Sequence, residues 1–354
     1  MKWPKVAIAF ALFLVLSSAM LAQGLLTGST TIQSSGTIGI PSLSRLHTEG
    51  RYVKDESGNV VLLRGACTPQ GGDKEDFWAG SHQLEEADFA IMKSWNANVV
   101  RFTFNGPSFN DYSPSIDTWV NRAEANSLYI ILDMHRWDGN IGDCPPNVND
   151  WITMWTNLAN RYKARSHVLF ELFNEPATWT FSQWRSNAQQ AVNAIRGTGA
   201  SNIILVDGWN WANELNSFTQ NGYLNGSNLI YTVHLYKNCY GQTPPADHDG
   251  LQSYWRNRGW FYPIENNIAP VLYGEFNIQN SWSGDPNYPD EATARDERNW
   301  MNMSIQLAEE WGISYTAWGW VGYESWAWDH EYLLLGDWIT PAPSGQILQT
   351  HLKS

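Results

Sequence analysis

The chain has 354 residues and a formal net charge of -13. That balance argues against nucleic acid and anionic membrane surfaces as partners and suits a neutral ligand such as a sugar polymer. With 43% hydrophobic residues and 21 tryptophans, it can bury a sizeable core and still offer flat indole faces to a ligand.

Residues 1–5 carry Lys2 and Lys5, residues 6–16 are continuously apolar, and Ser17, Ser18 and Ala19 are small. Residues 1–22 therefore read as a secretory signal, with cleavage after Ala19 or Ala22. No charge falls between Lys5 and Arg45, so the same segment would act as a membrane anchor if uncut. A secreted or outer-surface protein is expected, with membrane contact only through an uncleaved N-terminus. Residues 23–44 are rich in Ser, Thr, Gly and Ile and read as a linker. That leaves 45–354 as a single domain, expected to be monomeric. Cys67, Cys144 and Cys239 permit one disulfide with one thiol left over, or three buried thiols.

Around 51–63, Arg-Tyr-Val-Lys and Val-Val-Leu-Leu flank a Ser-Gly-Asn turn and read as a hairpin. Beyond it, apolar strand-like runs alternate with polar helix-like ones. Strands are expected at 60–66, 98–104, 129–135, 167–175, 202–208, 229–236, 270–276 and 313–320. Helices are expected at 83–95, 116–126, 150–162, 181–196 and 291–311, among others. Strand–helix alternation indicates βα units on a parallel sheet. Eight units in one domain indicate an α/β fold of the (β/α)8 barrel type, with the hairpin placed to plug the barrel floor. An open doubly wound sheet is the alternative. It would bring a glycine-rich turn after its first strand, whereas Gly197-Thr-Gly-Ala precedes one.

In such a barrel the chemistry sits at the C-terminal ends of the strands, and here those ends are polar. The second carries Arg101, the third ends Asp133-Met-His135, the fourth Asn174-Glu175, the sixth His234-Leu-Tyr236, the seventh Gly274-Glu275-Phe276, and the eighth carries Trp318. With a strand period of two, Glu171, Phe173 and Glu175 share a face, as do Val271, Tyr273 and Glu275. So do Ile131, Asp133 and His135, and Thr232, His234 and Tyr236. If these faces point inward, the polar ends converge. Glu171 then lies roughly 13 Å below Glu175, too deep for a polymer, and reads as a structural partner of a buried cation.

Two carboxylates on separate strand ends meet the requirement of glycoside hydrolysis, one as proton donor and one as nucleophile or base. Glu275, with Arg101 and Tyr236 beside it, suits the ionised role, and Glu175 the protonated one. Asn174 suits a contact to a sugar hydroxyl. The bland alternatives are solvated loop-entry charges for the glutamates and core or metal-ligating roles for His135 and His234. No His-x-His or His-Glu-x-x-His pattern supports a metal, and no Gly-x-Ser-x-Gly supports a serine nucleophile. No cofactor is expected.

The same residues carry a resemblance. Leu-Phe-Asn-Glu-Pro (172–176), Tyr-Gly-Glu-Phe (273–276), Val-Val-Arg-Phe with Arg101, Leu-Asp-Met-His with His135, the pair His234 and Tyr236, Thr-Ala-Trp-Gly-Trp with Trp318, and Val-Leu-Leu-Arg-Gly-Ala (61–66) stand in order along nearly the whole mature chain. Together they resemble glycoside hydrolase family 5, within the clan of retaining (β/α)8 glycosidases. The resemblance implies a covalent glycosyl-enzyme, with Glu275 as nucleophile and Glu175 as acid/base. It implies substrate contacts from Arg101, His135, Asn174, His234, Tyr236 and Trp318. It favours an endo-β-1,4-glucanase acting on a poly- or oligosaccharide. A β-mannanase, an exo-β-1,3-glucanase or another β-glycosidase of the family stands behind it, and a non-catalytic carbohydrate-binding barrel is the alternative class. Trp137, Trp209, Trp211, Trp282, Trp318, Trp320, Trp326 and Trp328 are expected near the rim, several to stack on sugar faces, although for each singly, Trp318 excepted, core packing is the first expectation. Long loops at 136–149, 277–289 and 321–344 could wall the cleft or close one end.

Overall fold

The computed structural model describes residues 43–68, 84–106, 112–137, 140–237, 241–278, 291–322 and 332–354. Residues 1–42, which hold the expected signal and nearly all of the expected linker, Cys239 and parts of the three long loops lie outside these residues. A short antiparallel pair, β1 (His47–Glu49) and β2 (Tyr52–Lys54), leads into eight strands. These are β3 (Arg64–Thr68), β4 (Val99–Asn105), β5 (Tyr129–Arg136), β6 (Val168–Glu171), β7 (Ile204–Asp207), β8 (Leu229–His234), β9 (Val271–Glu275) and β10 (Ser314–Ala317). They close in chain order into an all-parallel barrel, β10 pairing with β3. This is the expected (β/α)8 architecture.

Helices α1 (Glu86–Ser94), α2 (Tyr112–Ala125), α3 (Val148–Tyr162), α4 (Phe181–Gly197), α5 (Trp209–Ala212), α6 (Asn216–Asn221), α7 (His248–Asn257), α8 (Tyr262–Glu265), α9 (Glu291–Trp311) and α10 (Pro343–Lys353) fill the intervals. Their starts are written locally. Thr180 and Gln183 form a capping box for α4, and Asn147 and Asp247 cap α3 and α7, satisfying N–H groups that the first turn leaves open. On α4 the buried side chains Trp184, Ala188, Ala191, Val192 and Ile195 recur at helical spacing, so one stripe packs on the strands.

Among the described residues the core has two main parts, with a small satellite of Val321, Tyr332 and Ala342. Outward-facing strand residues and helix stripes form the larger one. The smaller fills the lower barrel with Val99, Ile131, Leu169, Leu205, Ile230 and Leu272, and Leu46, Val53 and Leu63 of the entry segment close it from below. The floor plug is thus as expected, but its pairing differs. The ladder joins 47–49 to 52–54, and only Lys54 bridges to Val60. Asp55 accepts the Ser57 and Asn59 N–H groups, and Gly58 takes φ +83°, so the turn forms where expected. Val61 is held by Val53, which delays the first barrel strand to Arg64. Leu43 and Ser44, read as the linker's end, are already packed: Leu43 touches the lower core and the Tyr129 hydroxyl donates to the Ser44 carbonyl.

Two strand faces depart from simple alternation. On β9, Val271 and Tyr273 point outward into the larger core, and Leu272 points in. A register shift between Val233 and His234, which pairs His234 with Glu275, brings Glu275 inward all the same. On β6 the ladder stops at Glu171. Leu172 and Phe173 both join the outer core, so the shared face expected for Glu171, Phe173 and Glu175 does not exist. The Leu172 carbonyl instead accepts the indole N–H groups of Trp151 and Trp155 at 3.1 and 2.9 Å, and Asn174 N–H donates to the Met134 carbonyl.

Candidate active site

Above the apolar floor the barrel interior becomes ionic. Arg101, Asp133, Glu171 and Asp207 are each fully buried. Arg101 is the hub. Its Nε and Nη2 reach Glu171 at 2.6 and 3.1 Å, Nη1 reaches Glu275 at 2.6 Å, and Nη2 also meets Asp133 and Asn174 at 3.0 and 2.9 Å. Burial alone would lower its pKa, but Asp133, Glu171 and Glu275 outweigh that and hold it far up. Removing such a hub would strand three buried acids. The cation expected for Glu171 is therefore Arg101. Glu171 is not 13 Å below the site, because β6 ends there and one guanidinium touches both Glu171 and Glu275.

Glu275 accepts a second hydrogen bond from the Tyr236 hydroxyl at 2.8 Å. Tyr236 is itself anchored by its N–H donating to Gln242. Glu175 meets His234 Nδ1 at 2.8 Å, and its backbone N–H donates to Asp207 Oδ2 at 2.9 Å. His234 is held neutral, chiefly by burial and further by Arg101 and His135. An oxygen of Glu175 and an oxygen of Glu275 lie within 4.8 Å of each other. His135 binds Asp133 through Nδ1 at 2.8 Å and is covered by the Trp318 ring, 5.3 Å away and nearly parallel. Burial lifts the Asp133 carboxyl to about 7 against the pull of Arg101. All eight residues singled out from sequence thus converge on one end of the barrel.

The geometry also answers the alternatives. His135 and His234 each stand with carboxylates in groups whose ligand atoms fall within 4.8 Å. Asp133, Glu171 and Glu275 already give oxygens to Arg101, a cation that the protein supplies itself. Of the rim tryptophans, Trp137 and Trp320 are core residues, the role expected of each singly. Trp320 packs on Trp95 and donates to Asp88. Trp209 is half-buried and donates to the Trp179 carbonyl. Trp211 presents its ring, 47% exposed, from a left-handed turn over Asn210–Ala212. Trp282, Trp326 and Trp328 lie outside the described residues. Cys67 and Cys144 are both free thiols; burial pushes the Cys67 thiol far up. Sequence reasoning missed Asp207. Its signal was available, an acid closing the apolar run Ile-Ile-Leu-Val-Asp just as Glu171 closes Val-Leu-Phe-Glu.

The family model described as Cellulase (glycosyl hydrolase family 5) matches residues 54–324. The chain belongs to glycosyl hydrolase family 5. Among similar proteins, Endoglucanase A of Butyrivibrio fibrisolvens is 26% identical over 288 residues, which is 77% of this chain and 59% of that protein. An endoglucanase of Paenibacillus polymyxa is 26% identical over 346 residues, 83% of each. The chain thus spans less than two thirds of the first relative and most of the second. The catalytic domain of a Thermobifida fusca endoglucanase shares the barrel with a TM-score of 0.66 at 22% identity, covering 88% of this chain and 97% of that one.

Proposed function

We propose that this family 5 protein is a retaining endo-β-1,4-glucanase, with Glu275 as nucleophile and Glu175 as acid/base. The observation that carries the reading is the carboxylate pair, oxygens within 4.8 Å, each acid in a different setting. Oxygens this close suit the short carboxyl separation of retaining enzymes, about 5–5.5 Å, better than the wider gap that admits a water. Arg101 and Tyr236 both donate to Glu275, which complements an ionised carboxylate and aims it. Glu275 would attack the anomeric carbon as the bond to the leaving oxygen breaks, and Glu175 would give that oxygen its proton. Water would then add at the same carbon, returning its proton to Glu175 and releasing Glu275.

Neutral His234 suits the second glutamate. With its proton on Nδ1, it orients Glu175 through one oxygen in either protonation state and leaves the other for proton transfer. Asn174 Nδ2 is buried and has no protein partner, which supports a contact to a substrate hydroxyl. Trp318, stacked on His135, would floor the cleaved sugar, and the exposed Trp211 would carry a neighbouring one. The endoglucanase names of the relatives support β-1,4-glucan as substrate. No helix among the described residues is long and apolar enough to cross a membrane, and the charged, lysine-led N-terminus supports export.

The test is reducing-sugar release from carboxymethylcellulose, β-mannan and a β-1,3-glucan, with Glu275→Gln beside wild type. We expect activity on carboxymethylcellulose that falls on the order of 10⁴–10⁶-fold in the variant. Preference for mannan or the β-1,3-glucan would move the substrate and keep the mechanism. Inertness on all three and on aryl glycosides would leave a binding barrel.

A further inference from the structure

Beneath Glu175, on the fifth barrel strand, stands an acid that the double displacement does not use. Asp207 is fully buried, and one of its carboxyl oxygens lies within 4.8 Å of an oxygen of Glu171. Two buried carboxylates this close repel unless one of them holds a proton. Both oxygens of Glu171 accept from Arg101, which favours its ionised form and places the proton on Asp207. On Asp207, Oδ2 accepts from the Glu175 N–H, while Oδ1 is buried and receives no hydrogen bond. The free position is Oδ1.

The charges facing this pair agree. Arg101 from β4 is shared among Asp133 on β5, Glu171 on β6 and Glu275 on β9. His234 on β8, whose ligand atom lies within 4.8 Å of those of Asp207 and Glu171, is neutral. From α4, Trp184 brings only an indole N–H to the Asp207 carbonyl. A fourth buried anion would have no cation of its own.

What Asp207 holds is unusual. Glu175 sits at φ +53°, a left-handed conformation that costs a non-glycine residue roughly 1–2 kcal/mol. It also precedes Pro176, a position that steric contact drives toward extended backbone. Such a conformation persists only where its surroundings impose it. The Asp207 Oδ2 bond, at 2.9 Å, fixes the residue's own N–H.

We infer that Asp207 is a positioning residue for Glu175: in its protonated form it donates through Oδ1 to Glu171, accepts the Glu175 N–H on Oδ2, and so sets the acid/base in place. The inference rests on the proposed role of Glu175. A neutral carboxyl is the state that allows donor and acceptor at once, and it couples the acid/base backbone to the Arg101 hub that also holds Glu275.

The test uses the full chain and two aryl β-cellobiosides, one with a leaving group that needs protonation and one that departs without it. Glu175→Ala, run in parallel, must lose activity selectively on the first; if it does not, the acid/base reading falls and this inference with it. Given that selectivity, Asp207→Ala is expected to lower kcat/KM on the first substrate about 10²-fold, with little change on the second. Asp207→Asn is expected to stay within a few-fold of wild type on both, because its amide donates to Glu171 while its oxygen accepts from Glu175. Equal losses on both substrates in a folded Asp207→Ala, or an Asp207→Asn as impaired as Asp207→Ala, would overturn it. Should Asp207→Ala fail to fold, the infrared difference between wild type and Asp207→Asn decides. A lost carboxylic-acid carbonyl band supports the protonated state, and a lost carboxylate band overturns it.

Discussion

At Glu275 a single hydroxyl separates two possible designs. Arg101 neutralises the carboxylate in either, and the Tyr236 hydroxyl donates to its other oxygen at 2.8 Å. If Tyr236 aims and stabilises the nucleophile, Tyr236→Phe removes one hydrogen bond to a charged group and little volume. Such a bond contributes about 1.5–3 kcal/mol, so kcat should fall ~10–150-fold while the thermal midpoint barely moves. Steady-state kinetics and a melting curve on the same preparation check this. A variant with undiminished kcat would mean that Arg101 alone positions Glu275. The same logic explains why the residue types here could be read from sequence. An arginine, a tyrosine and two glutamates at strand ends have few bland uses together once a barrel is assumed.

At the scale of the element, the informative feature is where β6 stops. A strand carrying Asn-Glu-Pro must leave the sheet to aim its acid, and the carbonyl it abandons at Leu172 lies in the apolar outer core. Trp151 and Trp155 on α3 both donate to it. Either Trp→Phe change alone leaves one indole donor in place. The double change removes both, and a buried carbonyl without a partner costs about 1–3 kcal/mol. The double variant should therefore be less stable than the sum of the singles by an amount in that range, measured as a double-mutant cycle in denaturant. Additive losses would mean the carbonyl finds water or another donor. This strand end also marks the limit of what the sequence disclosed. The barrel, the order of its strands and the converging polar ends were legible, because apolar periodicity and strand–helix alternation are local properties. The inward turn of Glu275 was not, since it arises from the register of β8 against β9. Nor was the outward turn of Phe173, which follows from indoles on another element. Which of the rim tryptophans serve the core was not legible either, because an indole beside a strand end serves core or cleft equally well in sequence. Asp207 was hidden because it stands in no motif, and its partner Glu171 is separated from it by 36 positions.

At the scale of the whole molecule, the buried acids set a pH dependence opposite to that of the surface ones. Asp117, paired with Arg161 and Tyr162, has a lowered pKa, as does Glu309, where His351, Tyr315 and Arg64 outweigh burial. These groups stabilise the fold above their unfolded pKa values, and that stability is lost as pH falls through the lower folded ones. Asp133 runs the other way. Burial raises it from 3.8 to about 7, so the folded state binds its proton more tightly than the unfolded state does. Its contribution is complete below pH 3.8 and is lost as pH rises through about 7. Glu171 and Asp207, also raised by burial, act with the same sign. Stability should therefore peak in mildly acidic solution and decline toward neutrality, even though the chain carries a net charge of -13. Asp133→Asn isolates the cause. Asp133 Oδ2 is hydrogen-bonded to His135 and ion-paired with Arg101 while Oδ1 has no hydrogen-bond partner, so an amide can keep its oxygen facing both. In that variant the thermal midpoint should decline less steeply between pH 4 and 7 than in wild type. An unchanged slope would assign the decline to Glu171 and Asp207 instead, and combining Asp133→Asn with Asp207→Asn would then be needed to flatten it.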